Sequence, residues 1–332
     1  MLWYVAGSSL VLMVLGGCNA ILGVDHFAVD EDSGVTDAEI VEKDAAQDGP
    51  PASDASSDAP IDGDGDRDSD GDDVLDPVDN CVGVPNKDQR DHDGDSRGDV
   101  CDGCPHLMGV AADRDGDKVD DLCDPRPDTP GDSIMHFDGF YEDGNALPDG
   151  WTAATGEAND WQVRNGELRP IIGDGVKFAY WSVRGLTHQV IDTRVTVRQL
   201  ATEALQRSIL IVGGYDGNGA GPFWLCGFVD DMDNDPPVFR LHEVNSSGIG
   251  VGTARNSGPL SFPLSSITAA RVRLELSNEA GPKVTERCVL SNNPAATTLT
   301  DSDDVDASGF VGIRTRGVQT GFDYVVIYDR IN

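Results

Sequence analysis

Between residues 190 and 328, apolar and polar side chains alternate in short runs. The strictest run is 270–276, Ala270-Arg271-Val272-Arg273-Leu274-Glu275-Leu276; 322–328 follows the same rule and 190–197 does so less strictly. A period of two turns one face of an extended segment toward a core and the other away from it. Further strands are predicted at 208–212, 223–229, 239–244, 284–290 and 310–315, with Gly, Pro, Asn and Asp between them. No segment of this half carries a convincing amphipathic helical pattern. Many short strands in about 200 residues predict an antiparallel β-sandwich over 133–332, so the fold class is mainly β.

The pattern upstream is different. An uncharged apolar stretch covers 5–15 and runs into Leu15-Gly16-Gly17-Cys18. It is too short for a spanning helix and suits a secretory leader over 1–17. Residues 18–61 are rich in Asp, Ala, Ser, Pro and Gly and have no apolar period. Such a segment buries too little to offset the entropy of ordering, which predicts a disordered acidic tether. Over 62–132 alternation returns with other chemistry: in three runs Asp occupies every second position.

Charge separates the halves. The formal net charge of the 332 residues is −35; residues 1–132 hold 34 acids against 8 bases, and the remainder 25 against 16. Only the second half has enough apolar residues for a sizeable core. So acidic a chain excludes nucleic acid as an electrostatic partner.

The three Asp runs share one spacing. In the first, Asp68, Asp70 and Asp72 stand at positions one, three and five, Val74 at seven, Asp76 at nine and Asp79 at twelve. The second places Asp91, Asp93, Asp95, Arg97, Asp99 and Asp102 there, and the third Asp113, Asp115, Asp117, Val119, Asp121 and Asp124. Alternate carboxylates plus one backbone carbonyl, from Val74, Arg97 or Val119, form an oxygen cage of the kind that holds Ca2+. The spacing is that of an EF-hand loop with Asp in place of Glu at position twelve and no flanking helices. Position six, where a Gly eases the turn, is Asp73, Ser96 and Lys118. Two carboxylates ~4 Å apart repel by about 4 kcal/mol at an effective dielectric near 20. Metal is therefore expected to be a folding requirement for this segment, and Mg2+, which demands strict octahedra, fits poorly.

Beyond the loops, Asp79-Asn80-Cys81, Asn86 with Gln89, Gly98-Asp99-Val100-Cys101-Asp102 and Cys104-Pro105 complete a pattern that resembles thrombospondin type 3 repeats over about seventy residues. The resemblance implies a calcium-stabilised array in which Cys81 joins Cys101 and Cys104 joins Cys123. Each bond would close a loop of about twenty residues, worth at most ~3 kcal/mol by the chain-entropy account. The Leu15–Cys18 ending resembles a bacterial lipobox, implying that Cys18 becomes the acylated first residue of the mature protein; no Lys or Arg precedes the apolar stretch, a departure from that pattern. Six further cysteines suit an oxidising compartment. Cys226 and Cys288, on separate predicted strands, form either a bridge or two buried thiols. Trp161, Val163, Gly166 and Leu168, with Phe310, Gly312, Ile313, Phe322 and Tyr324, resemble the first and last strands of concanavalin A-like, laminin-G-like jelly rolls.

Catalytic patterns are missing from the sequence: there is no H-E-x-x-H, G-x-S-x-G, P-loop or C-x-x-C, and no E-x-D-x-x-E that would place two acids on one strand face. Glu243, Glu275 and Glu286 stand alone, and the Gly-rich 213–219 has no helix after it to make a phosphate cradle. Trp151, Trp161, Trp181 and Trp224 suit core packing or sugar stacking, and the acidic 230–235 suits a polar turn or a loop ion. The expected molecule is an envelope lipoprotein at the outer membrane or cell surface, anchored through Cys18. A calcium-stiffened array would present a non-enzymatic sandwich to a glycan or cell-surface protein. A polysaccharide hydrolase and a purely structural envelope component are the alternatives.

Overall fold

The computed structural model describes residues 67–109, 112–182, 186, 188–204, 206–219, 221–231, 236–244, 253–277, 284–291, 297–303 and 308–330. Cys18, the leader and the tether lie outside them. The described residues all fall within one compact unit. No helix among the described residues is long and apolar enough to cross a membrane.

From residue 132 onward the chain is built of β-strands: β1 Asp132–Asp138, β2 Trp151–Thr155, β3 Trp161–Val163, β4 Leu168–Pro170 and β5 Val176–Trp181. These are followed by β6 Gln189–Leu200, β7 Arg207–Tyr215, β8 Phe223–Asp230, β9 Val238–Val244 and β10 Thr253–Pro259. The last five are β11 Ala270–Ser277, β12 Val284–Ser291, β13 Thr297–Asp303, β14 Phe310–Arg316 and β15 Val318–Arg330. They make two antiparallel sheets. One, sheet A, runs β13-β12-β11-β6-β15-β4-β3 with β1 also on β15; the other, sheet B, runs β10-β9-β8-β7-β14-β5-β2. This is the antiparallel sandwich that the alternation predicts, and each of its eight predicted strands is present.

The period of two explains the layers. In β11, Ala270, Val272, Leu274 and Leu276 point into the main core, where they meet Trp224, Phe228, Phe239 and Ile313 from sheet B. Cys226 of β8 is bonded to Cys288 of β12, so the bond joins the two sheets. Sheet B is apolar on its other face too, where Phe178, Leu210, Val212, Tyr215, Phe223, Leu225 and Phe310 form a second cluster.

The outer face of sheet A is not a solvent face. Residues 67–131, which hold neither helix nor strand among the described positions, lie on it. Cys104, Val119 and Cys123 pack on Val190, Tyr324, Val326 and Tyr328. The charged positions of β11 serve this layer. Arg271 and Arg273 both bind Asp192 of β6, which is fully buried, and Tyr324 donates to Asp192 at 3.0 Å. Arg273 also reaches the Cys123 carbonyl at 2.7 Å, and Arg271 lies 3.3 Å from His106 Nε2. Burial alone would raise the Asp192 carboxyl; the Arg273 and Arg271 guanidinium groups outweigh it and hold the group below its usual value. Burial pushes His106 down to about 3, so it sits neutral in the interface. The expected rod is thus a third layer, tied to sheet A by a buried ionic knot.

One expected bond differs. Cys81 and Cys101 are joined, whereas Cys104 and Cys123 are two buried thiols in hydrogen-bond contact. Cys123 Sγ is directed to the Gly103 carbonyl at 3.1 Å instead of being bonded to Cys104. That contact and burial push the Cys104 thiol far up, away from a reactive thiolate.

Candidate metal centres

Each Asp run folds into a loop with the same hydrogen-bond frame. The position-one carboxylate of Asp68, Asp91 or Asp113 accepts the amide of the Gly at position four (Gly71, Gly94, Gly116) at 2.7–2.8 Å. Its second oxygen accepts the amide at position six (Asp73, Ser96, Lys118) at 3.0 Å. Position five accepts the amide of position seven, Val74, Arg97 and Val119, at 2.8–3.0 Å. The chain must turn sharply to do this. Gly71, Gly94 and Gly116 have φ of 79–83°, and Asp73, Ser96 and Lys118 have φ of 74–79°, a region that disfavours a Cβ.

The frame brings three carboxylates together in every loop: Asp68, Asp70 and Asp72; Asp91, Asp93 and Asp95; Asp113, Asp115 and Asp117. In each set one oxygen per residue lies within 4.8 Å of the others. Position nine does not join them. Asp76, Asp99 and Asp121 accept the position-two amide (Ser69, His92, Arg114) at 2.8–3.0 Å and so close the loop. Position twelve also serves the backbone: Asp79, Asp102 and Asp124 accept the amides of Cys81, Cys104 and Arg126. Asn80, Asn86 and Gln89 clamp the first loop to the second: Asn86 donates to Asn80 Oδ1, and Gln89 to Asp79 Oδ1. Arg97 bridges the second and third loops, 2.6 Å from Asp102 and 2.5 Å from Asp120.

The donor set fits a hard cation. Both oxygens of Asp70 and Asp115 and Oδ2 of Asp93 are buried atoms without a hydrogen-bond partner, and all belong to position three, where the other acids converge. A buried carboxylate oxygen left unpaired is costly. An oxygen-preferring divalent ion would supply the missing partner, and three carboxylates with backbone carbonyls and water would suit calcium. The electrostatics follow: burial, with the neighbouring acids, raises Asp70, Asp93 and Asp115. At position one, amide hydrogen bonds lower Asp68 and Asp113. Burial pushes Asp102 up to about 6 and Asp124 up to about 7.

A fourth set, Asp117, Asp124 and Asp132, has one oxygen of each within 4.8 Å of the others. Sequence reading missed Asp132 because it opens β1, outside the loop period. Asp192 was missed because its partners are about 80 residues away on another strand. Of the acidic stretch at 230–235, residues 232–235 lie outside the described residues; Asp230 and Asp231 face Arg207 and Arg240.

The other candidates resolve as packing. Trp161 and Trp224 are fully buried, Trp151 is buried, and Trp181 lies half-buried in a stack on His136 with centroids 3.5 Å apart. The Gly-rich stretch belongs partly to β7 and then turns around Asp216, which accepts the amides of Asn218, Gly219 and Gly221. Glu275 pairs with Arg287 on the surface. Glu243 and Glu286 come from opposite sheets into the sandwich interior, where burial pushes Glu286 up to about 8. Sealed there, neither meets a polymeric substrate.

A groove lies where the second loop meets the β1–β2 connection. Two adjoining cavities of about 390 and 550 Å3 share Arg90, His136, Phe137, Asp138 and Tyr141. The Arg90 guanidinium lies 4.8 Å from the centre of the Tyr141 ring, and the Tyr141 hydroxyl donates to Asp99.

No protein-family model matches the chain, and no curated protein matches it. Several solved structures are similar to it. The carbohydrate-binding module CBM66 from Bacillus subtilis is 15% identical over 52% of this chain and 91% of its own, with a TM-score of 0.37. Lectin II from Ulex europaeus is 10% identical over 60% of this chain and 100% of its own, with a TM-score of 0.40. The alginate lyase Aly36B is 13% identical over 54% and 84%, with a TM-score of 0.37. No residue role passes from them to this chain.

Proposed function

We propose that this chain is an exported, calcium-loaded protein of the cell envelope in which thrombospondin type 3-like loops brace a recognition sandwich. Its place is the outer membrane or cell surface, held by a lipid on Cys18. The observation that carries the calcium reading is the thrice-repeated frame that gathers three carboxylates and leaves position-three oxygens without partners. Calorimetric titration of the mature chain with Ca2+ tests it: binding heat is expected, and its absence would refute the reading.

The ligand class assigned to the sandwich is a glycan displayed on a surface. The support is the groove beside the second loop, where Arg90, Asp138 and Tyr141 offer hydrogen bonds next to the rings of Phe137 and Tyr141. Such a mixture suits a polyhydroxylated ligand. Asp99 of loop two stands in the same wall, so calcium loading and ligand binding are expected to be coupled. A glycan array probed with the full mature chain, in calcium and in chelator, should give binding only in calcium. Silence across a broad array would remove the glycan assignment. Replacing Cys18→Ser should release the protein from the membrane fraction; retention would overturn the anchor.

A further inference from the structure

Where the third loop meets the outer face of sheet A, the aspartate layer makes a step. Leu122 and Pro125 stand on one side of it, and the outward positions of β11 and β12 form its floor. The strand register sets that floor: Arg271 lies opposite Ser291, Arg273 opposite Val289 and Glu275 opposite Arg287, and residues directly opposite share a face. The same face runs on into β13, where Thr300 lies opposite Arg287 and Thr298 opposite Val289. Arg287, Thr298 and Thr300 are exposed. Two adjoining cavities of about 250 and 240 Å3 fill the step and share Pro125, Glu275 and Arg287. They have no lining residue in common with the groove beside the second loop.

We propose that this step is a binding cleft for a carboxylate-bearing polysaccharide. The inference goes beyond the groove assigned above and adds a second site of opposite charge preference. Unused donors are the first observation. Arg271 places Nε on Asp192 and one terminal nitrogen near His106, and Arg273 places Nε on Asp192 and Nη2 on the Cys123 carbonyl. Arg287 uses only Nη1, on Glu275 at 3.1 Å. Nη1 of Arg271, Nη1 of Arg273, and Nε and Nη2 of Arg287 make no hydrogen bond among the described residues. The nearest acid to Arg273 Nη1 is Glu275 at 3.8 Å, beyond a hydrogen bond.

Charge is the second observation. The chain carries a formal −35, yet the floor is cationic. Arg126, at the rim, is held by Asp132, and Asp124 belongs to the third loop. Burial and the neighbouring Arg126 lower His188, which therefore sits neutral. Three guanidinium groups, of Arg271, Arg273 and Arg287, then face two carboxylates, of Asp192 and Glu275. One positive charge is left over at a place where guanidinium forks can take a carboxylate. The third observation separates a sugar from an acidic peptide: the floor leads directly to the exposed hydroxyls of Thr298 and Thr300, which can donate to and accept from ring hydroxyls.

The test is calorimetric titration of the full mature chain, in calcium, with an oligosaccharide of glucuronate and N-acetylglucosamine and with its carboxyl-reduced form. The acidic form is expected to bind about tenfold more tightly or better, and more weakly as salt rises. Arg287→Gln should weaken the acidic form about tenfold, and Arg287→Lys should recover part of the loss, each with the parent's circular dichroism. Poly-glutamate should bind more weakly than the acidic oligosaccharide; equal binding would overturn the polysaccharide assignment. Equal affinity for the two oligosaccharides, or an Arg287→Gln protein that binds as the parent does, overturns the cleft and leaves the groove beside the second loop untouched. Binding of a neutral glycan that survives Arg287→Gln supports two separate sites, and its loss would overturn their separation. Should Arg287→Gln fail to fold, the parent's preference between the two oligosaccharides decides.

Discussion

The two halves of the described molecule solve the same problem with opposite materials. The sandwich buries Trp161, Trp224, Phe228, Phe239 and Phe322 between two sheets and bolts them with Cys226–Cys288. The aspartate layer has Val119, Cys104, Cys123 and little else apolar inside, and these lean on sheet A as well as on one another. Its order rests on amides donating to carboxylates and on carboxylates that converge without a partner. Water-excluded apolar area stabilises the first half whatever the ionic conditions. On the proposed calcium reading the second half is mutually repulsive until a cation arrives. That reading gives one chain a permanent core and a conditional layer, joined by Asp192 and its two arginines.

The sharpest way to break the comparison is at the joint. Asp192→Ala leaves Arg271 and Arg273 buried without their counter-charge, and removing one partner of a buried ion cluster costs roughly 3–5 kcal/mol. Denaturant unfolding should show that loss, and proteolysis in calcium should cut the aspartate layer first. A smaller effect is expected inside a loop: Asp115→Asn removes a carboxylate whose two oxygens lack partners. It should weaken binding at that loop about tenfold or more, read by calorimetry, and leave the sandwich's melting unchanged.

Titration should touch both halves, the sandwich through Glu286 and the aspartate layer through two acids. Asp102 and Asp124 are pushed up to about 6 and about 7, so the ion-free folded layer holds protons that the unfolded chain, near 3.8, has already released. Ion-free stability therefore falls as pH rises from about 4 to about 7. A cation in the loops favours the charged form of these neighbouring acids, so its apparent affinity should climb between pH 5 and pH 8 with proton release, measurable by calorimetry in buffers of different ionisation heat. The smallest expected change is Ser96→Gly. Relief of φ 79° should stabilise the second loop by about 1 kcal/mol, seen as a modest rise in its unfolding midpoint.

The sandwich was legible in most of its central strands, β5 between β14 and β2 being missed. The predicted runs in β6, β7, β8, β11, β12, β14 and β15 have neighbours on both sides, so their alternation is enforced by a core on at least one face. β10 (Thr253–Pro259) and β13 (Thr297–Asp303) were not legible; they close their sheets as edges, and a strand with one neighbour needs little apolar patterning. β2 and β3 are edges as well. In the loops, the spacing revealed positions one, three and five, since local geometry alone brings them together. Asp132, Asp192 and the role of Arg271 and Arg273 were hidden because they depend on how two layers meet. The alternation of β11 even misdirects: its polar face reads as solvent-facing, yet it seats the aspartate layer.

Hydrogen exchange of the full mature chain, with calcium and after exhaustive chelation, tests most directly whether cations hold the aspartate layer in place. Chelation should strip protection from the amides of Gly71, Gly94, Gly116 and their loop neighbours, while β7 and β8 keep theirs. Equal protection of those loop amides in both conditions would contradict the account.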